Sequence, residues 1–379
     1  MNGRERVEAV MRGTELDRVP VMCQLSMGHI IKNSGVPPAE FLINYYTIYA
    51  KTLAHLVKKY EFDGVLLDYP IGYNPEFLKT QVEKIVDNAN GQLIVWKNGD
   101  ETFCPVNDYP IQKPKVIPKN KPLIETDIND LPLLDGYKSR LSDLPEYYME
   151  PFRGILDKIG KTHSVHGFVA APLSLLAVSF GIEDILVGLI DHPDYCRSLL
   201  DALTGTCIIW VDNIVDIGVH AVCVTAPFEG AGFMSPNMYK EFGLPFTTRL
   251  VEHIKSRGVP SYVHMCGCIN DRLEAIADTG VDGIECLDPA PIGDVNLEDA
   301  IKRIGDKVFI KGNIDPVNTL LLKKQSEIYQ DAVERIKIAS PTKRFILSSA
   351  CSVSPDTPEE NLMILVKAVE DFGYYKKES

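Results

Sequence analysis

The chain predicts an α/β protein built as a (β/α)8 TIM barrel, on three observations. Short apolar runs alternate with amphipathic runs through the second half, the pattern of parallel β/α units. Two further apolar runs near the start bring the strand candidates to eight. No Gly-rich phosphate loop follows the first of them, which argues against a doubly wound open sheet.

Taken in order, Val7, Val10 and Met11 share one face of an N-terminal helix that ends near Pro20. Val19 to Leu25 is a buried strand. Pro37-Pro38 opens a long helix with Phe41, Leu42, Tyr45, Ile48, Tyr49, Leu53, Leu56 and Val57 at helical spacing. Phe62 to Asp68 is a short apolar strand ending on a carboxylate. From Val82 to Phe103 the period drops toward two, and Asn90-Gly91 and Asn98-Gly99 are hairpin turns. Residues 105–142, rich in Pro, Lys and Asp, read as a long surface excursion. An insertion of about residues 82–142 therefore follows the second strand of a single domain spanning residues 1–379. The remaining strands end near Val169, Thr225, His264, Leu287, Gly312 and Ser349. Helices fall at 176–190, 194–217, 235–257, 268–279, 324–339 and 358–373.

Composition narrows the functional classes. The 379 residues are 45% hydrophobic and 24% charged, as in an ordinary globular protein whose core needs no metal or disulfide staple. The net charge of -13 and the lack of a basic tract disfavour nucleic acid and anionic membranes as partners. The start is charged where a signal peptide needs an apolar region, and no stretch reads as a membrane span. The nine cysteines are odd in number and scattered, which fits a reducing cytoplasm.

The stretch Tyr262-Val-His-Met-Cys-Gly-Cys268 carries the chemistry. Residues two apart on a strand point the same way, so His264 and Cys266 present an imidazole and a thiol to one side of a strand end. That is half of a zinc site. The candidate for the other half is Cys351, where the run Phe345–Ser349 gives way to a loop. Three ligands with an open position are the catalytic arrangement. Either cysteine alone would read as a buried strand residue.

Other candidates surround this trio. Glu285 ends the strand Gly283-Ile-Glu-Cys-Leu-Asp288 and reads as a general acid or a fourth ligand, with Asp288 competing and a structural cap as the alternative. Asp68 reads as a carboxylate that orients a substrate. Tyr69 and Tyr73 read as walls of a substrate pocket, and His29, after the first strand, as a substrate contact, each against a plain packing or surface role. Phe228-Glu-Gly-Ala-Gly-Phe233 lacks the spacing of a dinucleotide or P-loop motif and reads as a loop lining the site.

Four motifs resemble the uroporphyrinogen decarboxylase superfamily. They are Leu16-Asp-Arg-Val-Pro20, Met234-Ser-Pro-Asn-Met-Tyr-Lys-Glu-Phe-Gly-Leu-Pro245, Ile310-Lys-Gly-Asn-Ile-Asp-Pro316 and Ser354-Pro-Asp-Thr-Pro-Glu-Glu-Asn361. The resemblance implies a barrel with its site at the strand C-termini. Three departures turn it away from porphyrin chemistry. Gln24 is followed by Leu25-Ser-Met-Gly-His29, without the decarboxylases' arginine. Ala170-Ala-Pro-Leu-Ser-Leu-Leu lacks their tyrosine, and Cys351 stands where they carry a histidine.

The His-x-Cys pattern with a late cysteine is instead similar to the corrinoid-dependent methyltransferase branch. That similarity implies Zn2+ on His264, Cys266 and Cys351, and a cobalamin-type corrinoid carried by a partner protein, since the chain lacks the Asp-x-His-x-x-Gly pattern of a corrinoid module. The methyl donor is expected to be a methylated small molecule such as a methoxylated aromatic. The competing expectations are methyl transfer to a thiol of the coenzyme M type and a porphyrin-type decarboxylase. A homodimer is one option for the assembly.

Overall fold

The computed structural model describes residues 1–68, 74–115, 123–127, 131 and 133–375. Its strands, in chain order, are β1 (Gly64–Leu66), β2 (Val82–Asn88), β3 (Gly91–Trp96), β4 (Glu101–Pro105), β5 (Ile111–Lys113), β6 (Ser164–Ala170), β7 (Ala221–Thr225), β8 (Ser261–Met265), β9 (Gly283–Cys286), β10 (Phe309–Ile314) and β11 (Phe345–Ser349). Seven of them form one parallel sheet in the order β1-β6-β7-β8-β9-β10-β11. Nearest neighbours in sequence pair in space, as right-handed β/α crossovers dictate.

The expected first strand is the exception. Residues 19–25 form only single parallel bridges, Val21 to Leu347 and Leu25 to Val353. On the other side Asp63 N donates to Val21 O over 2.8 Å, so the segment touches both edges of the seven-stranded sheet. Pro20 has no N–H to give, and side chains take over part of the ladder's work. Asp63 is the hub: its carboxylate accepts from Val21 N at 2.8 Å and from Arg18 at 2.9 and 3.1 Å. Arg18 and Asp63 are both buried, so the Leu-Asp-Arg-Val-Pro motif is a clamp that holds this segment beside β1.

The hairpin signals lead to a larger unit. β2 to β5 form a four-stranded antiparallel meander, with Asn88 opposite Gly91 at the first turn. Ile94, Trp96 and Cys104 pack with Ala39, Leu42 and Ile43, so the inserted sheet is bolted to the N-terminal helices.

Helical periodicity places most helices well, with breaks the pattern did not foresee. The expected helix at 176–190 is two, Pro172–Phe180 and Ile182–Asp191, split at Gly181 with φ 90°. The one at 235–257 contains a π-helical turn, Tyr239–Gly243, between Pro236–Met238 and Leu244–Ser256. Helix Pro193–Ile217 corrects the reading that no stretch is long and apolar enough for a membrane span: it passes by length and composition, with half of its apolar window buried. Leu200, Leu203, Cys207, Trp210 and Ile214 are that buried face, which packs into the core.

Candidate metal centre

The parallel register aligns the polar residues of the strand ends. His264 of β8 is opposite Glu285 of β9, and Glu285 is opposite Lys311 of β10. Residues in register on neighbouring parallel strands face the same side, so these three form one row. Lys311 Nζ donates to Glu285 Oε1, and both side chains are fully buried. Glu285 Oε2 is 3.4 Å from His264 Nδ1 and accepts from the Cys223 thiol of β7 at 3.6 Å. Burial alone would push the Glu285 carboxyl up, but Lys311 and His264 outweigh it and hold the pKa down at about 2. The pairing with Lys311 and His264 favours the charged carboxylate, which suits a role as an orienting group or ligand better than one as a general acid. Glu285 fixes the imidazole through Nδ1 and leaves Nε2 as the atom to offer a metal.

The sulfurs gather above this row. His264, Cys286 and Cys351 offer donor atoms that all lie within 4.8 Å of one another. Cys286 Sγ is 3.6 Å from each ring nitrogen of His264. Cys266 is not in that set, but it lies near enough to Cys351 for the two thiols to push each other's pKa in opposite directions. Of the expected trio, His264 and Cys351 thus come together directly, Cys266 borders them, and Cys286 joins unforeseen. Cys351 is the common neighbour. The neighbouring Cys266 and Cys286 thiols pull its thiol well below the usual range, and His264 helps against the opposing pull of burial. Burial works against a charged His264, yet Cys351 and Glu285 raise its pKa to about 10. Two or three thiols and an imidazole at this spacing are the soft nitrogen and sulfur donors that zinc takes, so the residues present fit such an ion.

Asp288 does not join the donors. Its Oδ2 accepts from Gly267 N at 2.6 Å, and Gly267 has φ 81°, so Asp288 pins the turn that follows Cys266. Burial raises its pKa to about 6. His29 is also placed elsewhere than expected. It is fully buried, with Nε2 2.9 Å from the Tyr60 hydroxyl, and it borders neither cavity described below.

Asp68 borders two cavities. A cavity of about 190 Å3 is lined by His264, Asp68, Gln24, Tyr49 and Thr225. A second, of about 460 Å3, is walled by Met27, Ile31, Phe41, Leu42 and Tyr45. Asp68, Tyr109 and Phe168 line both, so the two adjoin. The Tyr109 hydroxyl donates to Asp68 Oδ2. The inserted segment before β5 thereby roofs the junction, a role that local pattern in residues 105–142 did not signal. Tyr69 and Tyr73 lie outside the described residues.

Sequence reasoning missed Cys286 because strand alternation assigns it to the helix side of β9. It missed Lys311 because its partner is on another strand, and a lone lysine in an apolar run carries no sign of that pairing.

Comparison with known proteins agrees with this architecture. The family model for uroporphyrinogen decarboxylase (URO-D) matches residues 106–372. The methylcobamide:CoM methyltransferase MtaA of Methanosarcina barkeri is 26% identical over 224 residues, 59% of this chain and 63% of that protein. A uroporphyrinogen decarboxylase of Anaeromyxobacter dehalogenans is 27% identical over 238 residues, 61% of this chain and 65% of that protein. The chain thus spans less than two thirds of the length of either relative. A solved methyltransferase structure from Methanosarcina mazei superposes with a TM-score of 0.70 at 20% identity, over 98% of this chain and 99% of that one, and so shares its fold. The chain belongs to the uroporphyrinogen decarboxylase family.

Proposed function

We propose that this chain is a corrinoid-dependent methyltransferase that uses zinc and takes the methyl group from a methoxylated aromatic compound. The carrying observation is the pair of adjoining cavities: an apolar chamber of about 460 Å3 opens beside a smaller one that ends at His264. Phe41, Tyr45 and Phe168 offer an aromatic ring flat apolar surface. No lysine or arginine is among the residues lining either cavity, so nothing described there would pair with a sulfonate or a set of carboxylates.

Each residue has a definite task in this reading. His264, Cys266 and Cys351 hold the metal, and Glu285, held by Lys311, keeps the imidazole oriented. Asp68 accepts a hydrogen bond from a phenolic hydroxyl of the donor, in place of Tyr109. The walls around Tyr45 and Phe168 exclude water from the ether. Zinc held by His264, Cys266 and Cys351 would supply Lewis acidity at the ether oxygen, and a corrinoid on a partner protein would supply the methyl acceptor.

A second reading, methyl transfer from a corrinoid to a thiol, is favoured by the similarity to MtaA, a methylcobamide:CoM methyltransferase. The decisive experiment supplies a cobalt(I) corrinoid with 2-methoxyphenol, and separately a methylated corrinoid with coenzyme M, to the zinc-loaded protein. Demethylation of the ether with no thiol methylation is expected, and the reverse would overturn the O-demethylation reading. Cys351→Ala is expected to abolish stoichiometric zinc, as measured by metal analysis, and with it all methyl transfer. Porphyrin decarboxylation, by contrast, would proceed without metal and survive Cys351→Ser.

A further inference from the structure

Cys286 occupies a position that ordinary strand geometry would not give it. In β9, Glu285 faces inward, where it meets Lys311 and His264. Ile284 faces the other way, into the core shared with the surrounding helices. Strict alternation would send Cys286 after Ile284, just as its register partner Met265 is core. Instead Cys286 has φ 84°, and Leu287 follows with φ 53°. Two consecutive residues with side chains are thus held in the left-handed region, which persists only where surrounding contacts over-determine it. Those contacts are present: Asn313 Nδ2 donates to Leu287 O at 2.8 Å, and Asp288 Oδ2 is fixed by Gly267 N at 2.6 Å. The result is that Glu285 and Cys286, adjacent in sequence, both reach His264.

The destination of the strained residue is a cluster of donors. Cys286 Sγ is 3.6 Å from His264 and within 4.8 Å of the Cys351 sulfur. Other buried cysteines, Cys207 and Cys196, have only burial as the leading influence on their thiols and lie in the apolar core. Cys286 differs in having two donor neighbours of the kind that bind a soft cation.

We propose that Cys286 is a third sulfur ligand of the metal, so that the resting centre is Cys3His and closed. This rests on the reading above, in which His264, Cys266 and Cys351 hold zinc. A fourth protein donor leaves no vacant position, so a reactant gains access only when one sulfur yields. Cys286 is the sulfur suited to yield, because its backbone is the strained one and three thiolates around a dication carry an excess negative charge in a buried site.

The test is X-ray absorption at the zinc edge of the full chain loaded with one equivalent of zinc. Three sulfur neighbours at about 2.3 Å and one nitrogen are expected. In Cys286→Ser and Cys286→Ala the sulfur count should fall to two with zinc stoichiometry retained. In the cobalt(II)-substituted protein the thiolate charge-transfer absorbance should drop by about a third. Two sulfurs in the unmodified protein would overturn the inference, and that spectrum decides even if the variants fold poorly. Failure to bind stoichiometric metal at all would overturn the underlying zinc reading as well, and it is distinguished by metal analysis before any spectrum is recorded.

Discussion

Glu285, in the strand row beneath the sulfurs, and Glu229, in the loop after β7, are both fully buried carboxylic acids. The strand row surrounds Glu285 with Lys311, His264 and Cys223, and the group is ionised. In the loop, neither Glu229 oxygen has a hydrogen-bond partner among the described residues. Arg272 is near, yet it spends its guanidinium on the main-chain oxygens of Glu229 and Met234 and on Asp271. Burial then dominates and lifts the Glu229 pKa to about 8, with Arg272 only partly opposing it. A side chain at Gly243, in the π-helical turn, would come within 2.5 Å of Glu229 Oε2, so the glycine there makes room for this acid. Equal burial thus gives opposite charge states, and the difference is whether a neighbouring strand supplies a cation in register. The strand row is built to hold charge. The loop is built to hold a proton.

The sharpest way to break this comparison is Lys311→Met. It leaves Glu285 buried without its cation, and a loss of about 3–5 kcal/mol in unfolding free energy is expected. Urea denaturation at pH 7 measures it, and an unchanged midpoint would show that Glu285 does not depend on the pair.

Glu229 predicts a pH effect of opposite sign. Between the ordinary carboxyl pKa of 4.5 and its folded value of about 8, the unfolded chain has lost a proton that the folded chain keeps. The folded state binds more protons in that window, so stability falls as pH rises, by at most about 1.4 kcal/mol per unit. Unfolding free energies from urea denaturation at pH 5 and pH 8 should therefore differ by roughly a few kcal/mol from this group, the slope accumulated over the interval. In Glu229→Gln this part of the difference should vanish.

A milder perturbation of the strand row is Glu285→Gln. It removes the charge that orients His264, and zinc affinity measured by chelator competition should weaken by about 10–100-fold. The smallest effect is expected at the cavity junction. Tyr109→Phe removes the hydroxyl that would compete with a phenolic donor for Asp68 Oδ2, so KM for 2-methoxyphenol should fall by about tenfold or less with kcat unchanged. Methoxybenzene, which has no hydroxyl to offer, should show no such gain.

Much of this architecture was legible locally. The strands at Ser164–Ala170, Ala221–Thr225, Ser261–Met265 and Phe345–Ser349 follow from apolar runs bounded by helical periodicity. The first turn of the inserted sheet follows from Asn90-Gly91. The placement of His264 and Cys351 at strand ends followed as well, because a strand's end is marked by where its apolar run stops. Residues 19–25 were harder. Their composition says strand, but Pro20 and the Arg18–Asp63 clamp replace a regular ladder with single bridges.

What the amino-acid sequence determined alone is the order of elements, the family motifs, and the presence of an imidazole and thiols at strand termini, since periodicity and turn chemistry act over a few residues. What only the tertiary structure decided is which groups meet. Cys286 reaches His264 through a left-handed backbone at a strand end, and Lys311 charges Glu285 across a shared register. Tyr109 closes over Asp68 from an inserted sheet 41 residues away. Each of these depends on the spacing and twist of strands far apart in the chain, and short-range pattern contains no trace of such distances.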